Sequence, residues 1–425
     1  MTRYFWRLIV LILVCGNSCK HRETSPVENK DLSINPKTAR IGDTIVINGP
    51  STSKALRLSV NQGPFIGGSN DFKILLRNEA DITAILPEVH TEKVLITLHA
   101  DEYPTFPNML PPLDSIYYDI VGLIPIDPAG IGNGIDYNRV QSVNEKIYIS
   151  TDGSKVFKSV DGGYNWQEIK KHEGNIPNMF FLNEDQGWIS LFTDNLFNGA
   201  PGGELIYTHD SGASYTKLTV PGLDDQYITD IFFLNENEGY LLSNKGSIWR
   251  TKNNKNFDLI YAFPDRDLSN AKQFSRFFIS GKDLIAYGKS GLSGDQYVMI
   301  TGKNDIFTYK YYDEQIWKVQ KTIGTSTFAI LNRRLYLSND FGSSWTKVSD
   351  MDLLNIHFFD TKYGIGSTRE NVFGDEIIVE TRDGGVTWQK LRNLGDFVFS
   401  LDMDFSEKSG IIGGHRGHMW KYVLY

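Results

Sequence analysis

An eight-residue motif recurs at nearly regular spacing along the second part of this 425-residue chain. Its form is Ser/Thr-x-Asp-x-Gly-x-Asn/Ser/Thr-aromatic. The copies are Ser159–Trp166, Thr208–Tyr215, Ser338–Trp345, Thr381–Trp388 and a shortened Thr251–Phe257. The Asp positions, with Asn253 in the shortened copy, lie 49, 43, 87 and 43 residues apart. Because 87 is close to twice 43, we expect one more unit with an unrecognisable motif at residues 272–312, and the fixed period predicts a repeat architecture.

The residue types in the motif indicate a structural role. The Asp carboxylate can accept hydrogen bonds from backbone N–H groups of its own turn, and the Gly two positions later permits a positive φ. The Ser or Thr and the aromatic residue are expected to point inward and fix the hairpin. The motif resembles the Asp-box, or bacterial neuraminidase repeat. Its structural positions here are Asp161, Gly163, Trp166, Asp210, Gly212, Tyr215, Asp340, Gly342, Trp345, Asp383, Gly385 and Trp388.

A second pattern ends one strand and begins the next within a unit: in Phe180–Trp188, Phe232–Tyr240 and Phe358–Gly366, aromatic residues precede a polar turn and a Gly. Each unit therefore reads as strands A, B and C, the motif turn and strand D, which is one four-stranded propeller blade. The A strands are expected to start near residues 135, 177, 227, 273, 315, 354 and 397. This count predicts an all-β, seven-bladed β-propeller, with six blades as the main alternative.

The last blade, Phe397–Tyr425, ends after its third strand, so its outer strand must come from elsewhere. Tyr118–Pro125, which precedes the first blade, is the candidate for this closing strand. Closing the ring in this way would remove exposed sheet edges at the junction.

Residues 137–425 resemble the photosystem II assembly and stability factor type of propeller. The resemblance lies in FFLNENEGYLLSNKGSIWRT (232–251) and DEIIVETRDGGVTWQKL (375–391). It implies the fold strongly and the function weakly, because one fold serves many functions. Relatives without photosystems are common in bacteria, and their partners are mostly undefined.

The N-terminus is typical of an exported lipoprotein. Arg3 and Arg7 precede the apolar run Leu8–Val14, which is too short to span a bilayer but suits a secretory signal. Ser18-Cys19 fits the cleavage and lipidation point, although Gly16 stands where a Leu is usual; the alternative is an ordinary signal peptide. We therefore predict lipidation at Cys19 and a lipid-anchored location in the bacterial cell envelope. The outer membrane, on its periplasmic or surface side, is the expected site.

Residues 32–118 are predicted to form a small immunoglobulin-like β-sandwich, because short alternating strands are separated by regular turns. The opening INPKTARIGDTIVINGP and the close ITAILPEV…KVLITL resemble the IPT/TIG family. The predicted domains are a signal peptide (1–19), a tether (20–31), the IPT/TIG-like domain (32–118) and the propeller (119–425).

Composition excludes several classes of function. The only cysteines, Cys15 and Cys19, lie outside the predicted folded part, which therefore has no disulfide, zinc–thiolate site or cysteine nucleophile. The net charge of −8 argues against nucleic acid as the partner. We expect no cofactor, a monomer, and contact with the membrane only through the lipid anchor.

The Asp-box also occurs in sialidases, so enzymatic activity has to be considered. Sialidases need three arginines and an Arg-Ile-Pro-like motif before the first Asp-box. Here no such motif precedes Ser159, and Arg139 is the only arginine between Arg77 and Arg250. His415 and His418 lie at a B–C turn with no further ligand nearby in sequence. We therefore predict no enzymatic activity and no metal site, with a glycoside hydrolase as the less favoured alternative.

The face formed by the B–C turns and the D–A connections is the predicted binding surface, because the motif turns occupy the other face. Its long loops carry Phe192, Phe197 and Phe373, which either contact a partner or fold back onto the blades. Basic residues of the B–C turns are expected to ring the channel mouth and attract an acidic partner, unless they only reflect ordinary turn composition. These are Lys155, Lys245, Lys289, Arg333, Arg369 and Arg416. We therefore predict a non-enzymatic binding or assembly scaffold that acts through this face, with an envelope protein or a glycan as its partner. The alternative is a surface glycan-binding lipoprotein of a polysaccharide-uptake system.

Overall fold

The structure is a computed structural model, and it describes the protein in two compact units, residues 1–120 and 121–425. The described residues are 32–49, 52, 55, 57–61, 69–77, 81–90, 93–99, 114–126, 131, 137–143, 146–151, 154–193, 202–264, 273–290, 296–320, 325–369, 375–394, 402–405, 409–414 and 418–424. These residues form strands and turns, and none of them lies in an α-helix. None forms a helix long and apolar enough to cross a membrane.

In the first unit, the described residues form two sheets. Its strands are β1 (Ser33–Asn35), β2 (Thr38–Ala39), β3 (Thr44–Asn48), β4 (Arg57–Asn61), β5 (Ser69–Asp71), β6 (Lys73–Arg77), β7 (Asp81–Ile85), β8 (Lys93–His99) and β9 (Asp114–Ile120). The sheet orders are β1-β3-β7-β6 and β2-β9-β8-β4-β5. Alternate side chains of β3 (Ile45 and Ile47) and β7 (Ile82 and Ala84) are buried, as in a sheet with one core face. This agrees with the predicted immunoglobulin-like sandwich, and membership of the IPT/TIG family stays a prediction.

The described residues of the second unit form seven four-stranded sheets, one for each expected blade. Blades 1 to 3 are β11 (Tyr137–Val143), β12 (Lys146–Thr151), β13 (Lys155–Ser159), β14 (Trp166–Lys171); β15 (Asn175–Phe181), β16 (Gly187–Thr193), β17 (Gly202–Thr208), β18 (Thr216–Leu218); and β19 (Ile228–Phe233), β20 (Gly239–Ser243), β21 (Ile248–Thr251), β22 (Phe257–Tyr261). Blades 4 and 5 are β23 (Gln273–Ser280), β24 (Asp283–Ser290), β25 (Gln296–Lys303), β26 (Ile306–Tyr312); and β27 (Ile316–Val319), β28 (Thr327–Leu331), β29 (Arg334–Ser338), β30 (Thr346–Ser349). Blades 6 and 7 are β31 (Asn355–Phe358), β32 (Gly364–Arg369), β33 (Glu376–Thr381), β34 (Gln389–Asn393); and β35 (Asp402–Phe405), β36 (Ser409–Gly413), β37 (Met419–Val423) with β10 (Gly122–Ile126). The predicted all-β propeller is confirmed.

The ring closes through a strand that precedes blade 1. β10 pairs antiparallel with β37, from Gly122 opposite Val423 to Ile126 opposite Met419, and becomes the outer strand of blade 7. On the inner side, the Asp402 carboxylate accepts a hydrogen bond from Val140 N at 3.1 Å and so joins blade 7 to blade 1. The closing strand predicted at 118–125 is confirmed in its second part, because β10 spans Gly122–Ile126 while Tyr118–Ile120 belongs to β9 of the first unit.

Adjacent blades pack through aromatic side chains at the ends of the A strands. Trp188 of blade 2 stacks on Phe233 of blade 3, with ring centroids 3.5 Å apart, and Phe328 of blade 5 stacks on Phe358 of blade 6 at 3.8 Å. The Gly that begins strand B makes room for these rings, since a Cβ at Gly187 would lie 2.4 Å from the Phe181 ring. The sequence pattern of aromatic residue, polar turn and Gly is therefore explained by the packing between adjacent blades.

Blade 4 explains why one motif is missing from the sequence. Strands β25 and β26 are joined by the two residues Asn304 and Asp305, with φ values of 49° and 63°. Positive φ at both central residues belongs to a type I′ hairpin turn, which replaces the longer motif turn. The expected unit at 272–312 is thus present as a blade with a different turn.

Candidate functional site

The motif carboxylates are fully engaged within their own turns. In each of the four good copies the Asp Oδ1 accepts the backbone N–H four residues later, at 2.8–2.9 Å, and Oδ2 accepts the side chain of that same residue. The motif Ser or Thr hydroxyl accepts the Gly N–H at 2.7–2.9 Å. Hydrogen bonds from Ser214, Ser344 and Thr387 are the largest cause that lowers the pKa of Asp210, Asp340 and Asp383 to about 2. These Asp side chains have the hydrogen-bonding role expected from the sequence.

The other motif positions also stabilise the hairpins. The four motif glycines have positive φ, from 79° at Gly342 to 100° at Gly163. Trp166 and Trp388 donate their indole N–H to the carbonyl of the motif Gly, at 2.8 and 2.9 Å. The remaining two aromatics, Tyr215 and Trp345, pack against the buried clusters of blades 1–2 and 4–5.

One groove borders a motif turn. It has a volume of about 480 Å³ and lies between the outer part of blade 1, including Trp166 and Glu168, and the turn of blade 2 around Asp210. Both Asp210 oxygens are hydrogen-bonded to Ser214 of the same turn. This carboxylate is therefore a poor candidate for contact with a ligand.

The predicted basic turn residues have acidic partners. Lys155, Lys245 and Arg333 form ion pairs with Glu168, Asp225 and Asp352 at 2.5–2.6 Å, and Arg369 lies 3.9 Å from Glu376. Arg416 lies outside the described residues, and Lys289 is partly buried. Lys245 and Arg333 lie in B–C turns, whereas Lys155, Lys289 and Arg369 lie in the strands beside such turns. The ion pairs of Lys155, Lys245, Arg333 and Arg369 compensate their charges locally rather than leaving an open positive ring.

The predicted aromatic contacts are only partly described. Phe192 lies on β16 and packs against the Tyr227 ring, with centroids 4.4 Å apart, so it folds back onto the blades. Phe197, Phe373 and Cys19, the predicted lipidation residue, lie outside the described residues. More exposed aromatics occur elsewhere, on the outer strand of blade 4, where Tyr309 and Tyr311 are 45% and 40% exposed.

The strongest concentration of chemistry lies in the central channel, which sequence reasoning missed. A cavity of about 360 Å³ is lined by the A strand of every blade. In five of these strands the first paired residue after a β-bulge is polar: Arg139, Asn178, Asp230, Arg276 and Lys318. The first paired residues of β31 and β35 complete the set. The channel ring is defined here as Arg139, Asn178, Asp230, Arg276, Lys318, Asn355 and Asp402.

Ion pairs cross the channel at this level. Arg139 of blade 1 donates to Asp230 of blade 3 at 3.1 Å, and Arg276 of blade 4 donates to Asp402 of blade 7 at 3.2 Å. Lys318 Nζ donates to the Asn355 side-chain oxygen of the neighbouring blade. The two carboxylates also accept backbone N–H bonds from the next A strand, from Phe277 to Asp230 and from Val140 to Asp402. The channel ring therefore connects blades that are distant in sequence.

The buried charges shift each other's pKa values. Burial is the largest effect on Lys318 and, with Arg276 and Arg139 adding to it and Asp402 opposing it, lowers the pKa of Lys318 to about 8. Burial by itself would raise the pKa of Asp402, but Arg276, Arg139 and Lys318 hold that pKa below its usual value. Burial raises the pKa of Asp404, and the charge of Asp402 adds to this effect. Such coupled, buried groups in a cavity are typical of functional sites.

The described residues contain no group of three or more His, Cys, Asp or Glu side chains placed to hold a metal ion. Two residues beyond the channel ring, the cavity is lined by Phe180, Phe232 and His357 together with the polar Gln141, Gln320 and Asp404. Residues i and i+2 of a strand point to the same side. The cavity thus offers two Phe rings beside charged and amide groups, which suits binding of an amphipathic group.

Comparison with solved structures supports the fold. YCF48 from Cyanidioschyzon merolae is 14% identical with a TM-score of 0.53, and the match covers 71% of this chain and 99% of that chain. YCF48 bound to D1 peptide is 16% identical with a TM-score of 0.52, covering 71% and 96%. The GH74 enzyme of Niastella koreensis is 12% identical with a TM-score of 0.52, and the match spans 68% of this chain but only 52% of the enzyme. At these identities the likeness establishes a β-propeller and nothing about activity.

No family model and no curated protein matches the sequence. The comparisons therefore leave the Asp-box and IPT/TIG assignments as predictions based on the residues themselves.

A sequence signal for the channel ring was nevertheless present. Four A strands share the pattern Asn/Asp-apolar-x-Phe, at Asn178–Phe181, Asp230–Phe233, Asn355–Phe358 and Asp402–Phe405. Aligning the units on the Phe instead of on the motif turn would have placed a polar residue at one recurring inner position.

Proposed function

We propose that this protein is a non-enzymatic binding or assembly scaffold of the bacterial cell envelope, which holds its partner at the central channel of the propeller. The observation that carries the proposal is the channel ring, in which three cations and two carboxylates line a cavity of about 360 Å³. Taking an ion out of water costs several kcal/mol even after relaxation. A channel needed only for shape would be filled more cheaply by apolar side chains, so we infer that the charges serve recognition.

Two further points support a binding role over catalysis. The recurring motif carboxylates are saturated by bonds within their own turns. A propeller of the same fold, YCF48, has been solved bound to a peptide of D1. We carry over from that protein only the expectation that a propeller of this type can bind a polypeptide.

A capture experiment tests the proposed function. The tagged protein is incubated with envelope extract, and the captured protein is identified, purified and titrated against variants. Arg276→Gln/Asp402→Asn removes both charges of a channel pair, whereas Lys217→Gln/Glu204→Gln does the same to an exposed pair on blade 2. We expect the channel variant to weaken binding at least tenfold and the exposed variant to bind like the wild type. Equal binding by both variants would place the partner elsewhere.

The envelope location has its own test. We expect Cys19→Ala to abolish incorporation of labelled palmitate and to release the protein from the membrane fraction, because the acylated thiol is lost. Cys15→Ala is the matched control and should remain labelled. Labelling that depends on Cys15, or none in the wild type, would contradict lipidation at Cys19.

A second candidate function, glycan binding, is favoured by the exposed tyrosines of β26. Tyr309 and Tyr311 cover Phe263, with Phe263–Tyr309 centroids 5.1 Å apart, and form an aromatic surface at the rim of blade 4. Aromatic surfaces of this kind mark binding sites on soluble proteins. A glycan array should then show binding that is lost in Tyr309→Ala/Tyr311→Ala and kept in Phe192→Ala; binding unaffected by the tyrosine variant would exclude this surface.

A further inference from the structure

The three cations of the channel ring differ in whether a carboxylate balances their charge. Arg139 and Arg276 each face a carboxylate across the lumen, at 3.1 and 3.2 Å. The partner of Lys318 is the neutral Asn355 side chain, and no carboxylate of the described residues lies within ion-pair distance of its Nζ. At this level the described residues place three cations against two carboxylates, Asp230 and Asp402.

Two cations and three carboxylates of the described residues surround Lys318, and none of these carboxylates forms an ion pair with it. The charged and titratable side chains around it are Arg139 on β11, Asp230 on β19, Arg276 on β23, Tyr287 on β24, His357 on β31, and Asp402 and Asp404 on β35. Asp402 is occupied by Arg276 and by Val140 N, and Asp404 accepts the Ser142 N–H at 2.8 Å. Both oxygens of Asp402 are therefore occupied, while burial and the charge of Asp402 raise the pKa of Asp404 and so favour its neutral form.

Aromatic side chains of the cavity wall lie next to the channel ring. Phe180 and Phe232 have ring centroids 5.4 Å apart, and His357 packs 4.4 Å from the Phe405 ring, all on the wall of the same cavity. A volume of about 360 Å³ equals roughly a dozen waters at about 30 Å³ each. It is therefore large enough for a small organic acid or for one terminal residue of a chain.

We propose that the channel binds a carboxylate attached to an aromatic or other apolar body, with the carboxylate at Lys318 between Arg276 and Arg139 and the body against Phe180 and Phe232. This inference rests on the proposed binding function and specifies the group that enters the channel. The carboxylate belongs either to a small free acid or to the C-terminus of a partner chain, and both present the same chemistry. The acid supplies the carboxylate contact that Lys318 lacks.

Calorimetric titration with matched acid and amide probes tests the proposal. The probes are phenylacetate and phenylacetamide, and a hexapeptide ending in Phe with a free or an amidated C-terminus. We expect at least one acid to bind at least tenfold more tightly than its amide. Tight binding of phenylacetate would indicate a small free acid as the ligand, and tight binding of the peptide acid would indicate the C-terminus of a partner chain. If neither acid binds better than its amide, the proposal is wrong.

Two further measurements assign the binding to Lys318. Lys318→Met keeps the apolar stem and should weaken binding of the acid at least tenfold, whereas Lys217→Met, on an exposed lysine of blade 2, should not. In the wild type the affinity should fall severalfold between pH 7 and 9.5, because Lys318 loses its proton near pH 8 while the acid stays ionised. The pH profile decides the matter if Lys318→Met does not fold, and a flat profile would overturn the assignment.

These outcomes are independent of the capture experiment. If the captured partner depends on Arg276 and Asp402 but no acid is preferred over its amide, the scaffold function stands and the carboxylate inference falls. If neither partner capture nor acid binding depends on the channel residues, both the scaffold function and the carboxylate inference are wrong.

Discussion

Single residues in this propeller show how one side-chain type serves two purposes. Asp383 lies in a motif turn, where bonds from Thr387 occupy both its oxygens. Asp402 lies in the channel, where it holds a guanidinium from another blade and a backbone N–H from the next. The environment, not the residue type, separates the structural carboxylates from the candidate functional ones.

The motif hydroxyls should be important for stability because they are buried. The Ser159 hydroxyl is fully buried, accepts Gly163 N–H at 2.8 Å and donates to Asp161 at 2.9 Å. Ser159→Ala leaves the Gly163 donor without this acceptor, so we expect a loss of about 1–3 kcal/mol in the free energy of unfolding. Chemical denaturation measures it, with Ser280→Ala, an exposed serine, as the control. A loss of unfolding free energy no larger than that of the control would show that the Ser159 hydroxyl does not stabilise the turn.

Glu376 should make stability depend on pH. Burial raises its pKa to about 7, although Ser367 and Arg369 act in the opposite direction. The folded protein therefore keeps this proton where the unfolded chain loses it, so stability is full below the unfolded pKa and falls as pH rises to about 7. Between the unfolded pKa and about pH 7, the wild-type free energy of unfolding should fall by up to about 3 kcal/mol because of Glu376. We expect Glu376→Gln to lack this fall.

The measurement is the free energy of unfolding of both proteins between pH 4.5 and 8. Glu236→Gln, at an exposed glutamate of a turn, should keep the wild-type profile. A Glu376→Gln profile parallel to the wild type would show that Glu376 titrates normally.

Among the elements, the A–B hairpins link sequence to packing most directly. The Gly at the start of strand B allows the aromatic ring at the end of strand A to lie over the backbone, as with Gly239 and Phe233 at 2.4 Å from the position of an added Cβ. The Phe233 ring then stacks on Trp188 of the preceding blade. One glycine therefore affects both its own hairpin and the contact between blades.

Gly187→Ala tests this role. An added Cβ would lie 2.4 Å from the buried Phe181 ring and should lower the free energy of unfolding by about 1–3 kcal/mol. Gly202→Ala, where an added Cβ meets no atom within 4 Å, is the control and should have little effect. Equal stability of the two variants would mean that the ring can move away without cost.

The sequence predicts these elements well because the residues that determine each of them are close together in the chain. A motif turn or an A–B hairpin is encoded within about ten neighbouring residues, as in Phe232–Tyr240. Blade 4 escaped detection by its motif because a two-residue turn at Asn304–Asp305 performs the same connection. The partners of the basic turn residues were missed since Asp225 and Asp352 lie about 20 residues from Lys245 and Arg333 in the chain.

The fold of the whole molecule brings together residues that no local sequence pattern connects. The channel ring draws one residue from each of seven strands spread between Arg139 and Asp402, so its charges meet only after the ring closes. Closure itself depends on β10, which lies about 290 residues before the strand it pairs with. The candidate site is therefore a property of the closed propeller rather than of any blade.

The coupling between Arg276 and Asp402 tests this account most directly, because the two residues are 126 positions apart, in blades 4 and 7. A double-mutant cycle compares the unfolding free energies of the wild type, Arg276→Gln, Asp402→Asn and the double variant. We predict a coupling energy of about 1 kcal/mol or more, since the pair meets across a closed channel. Effects that add to within about 0.5 kcal/mol would contradict both the closed ring and the paired charges at its centre.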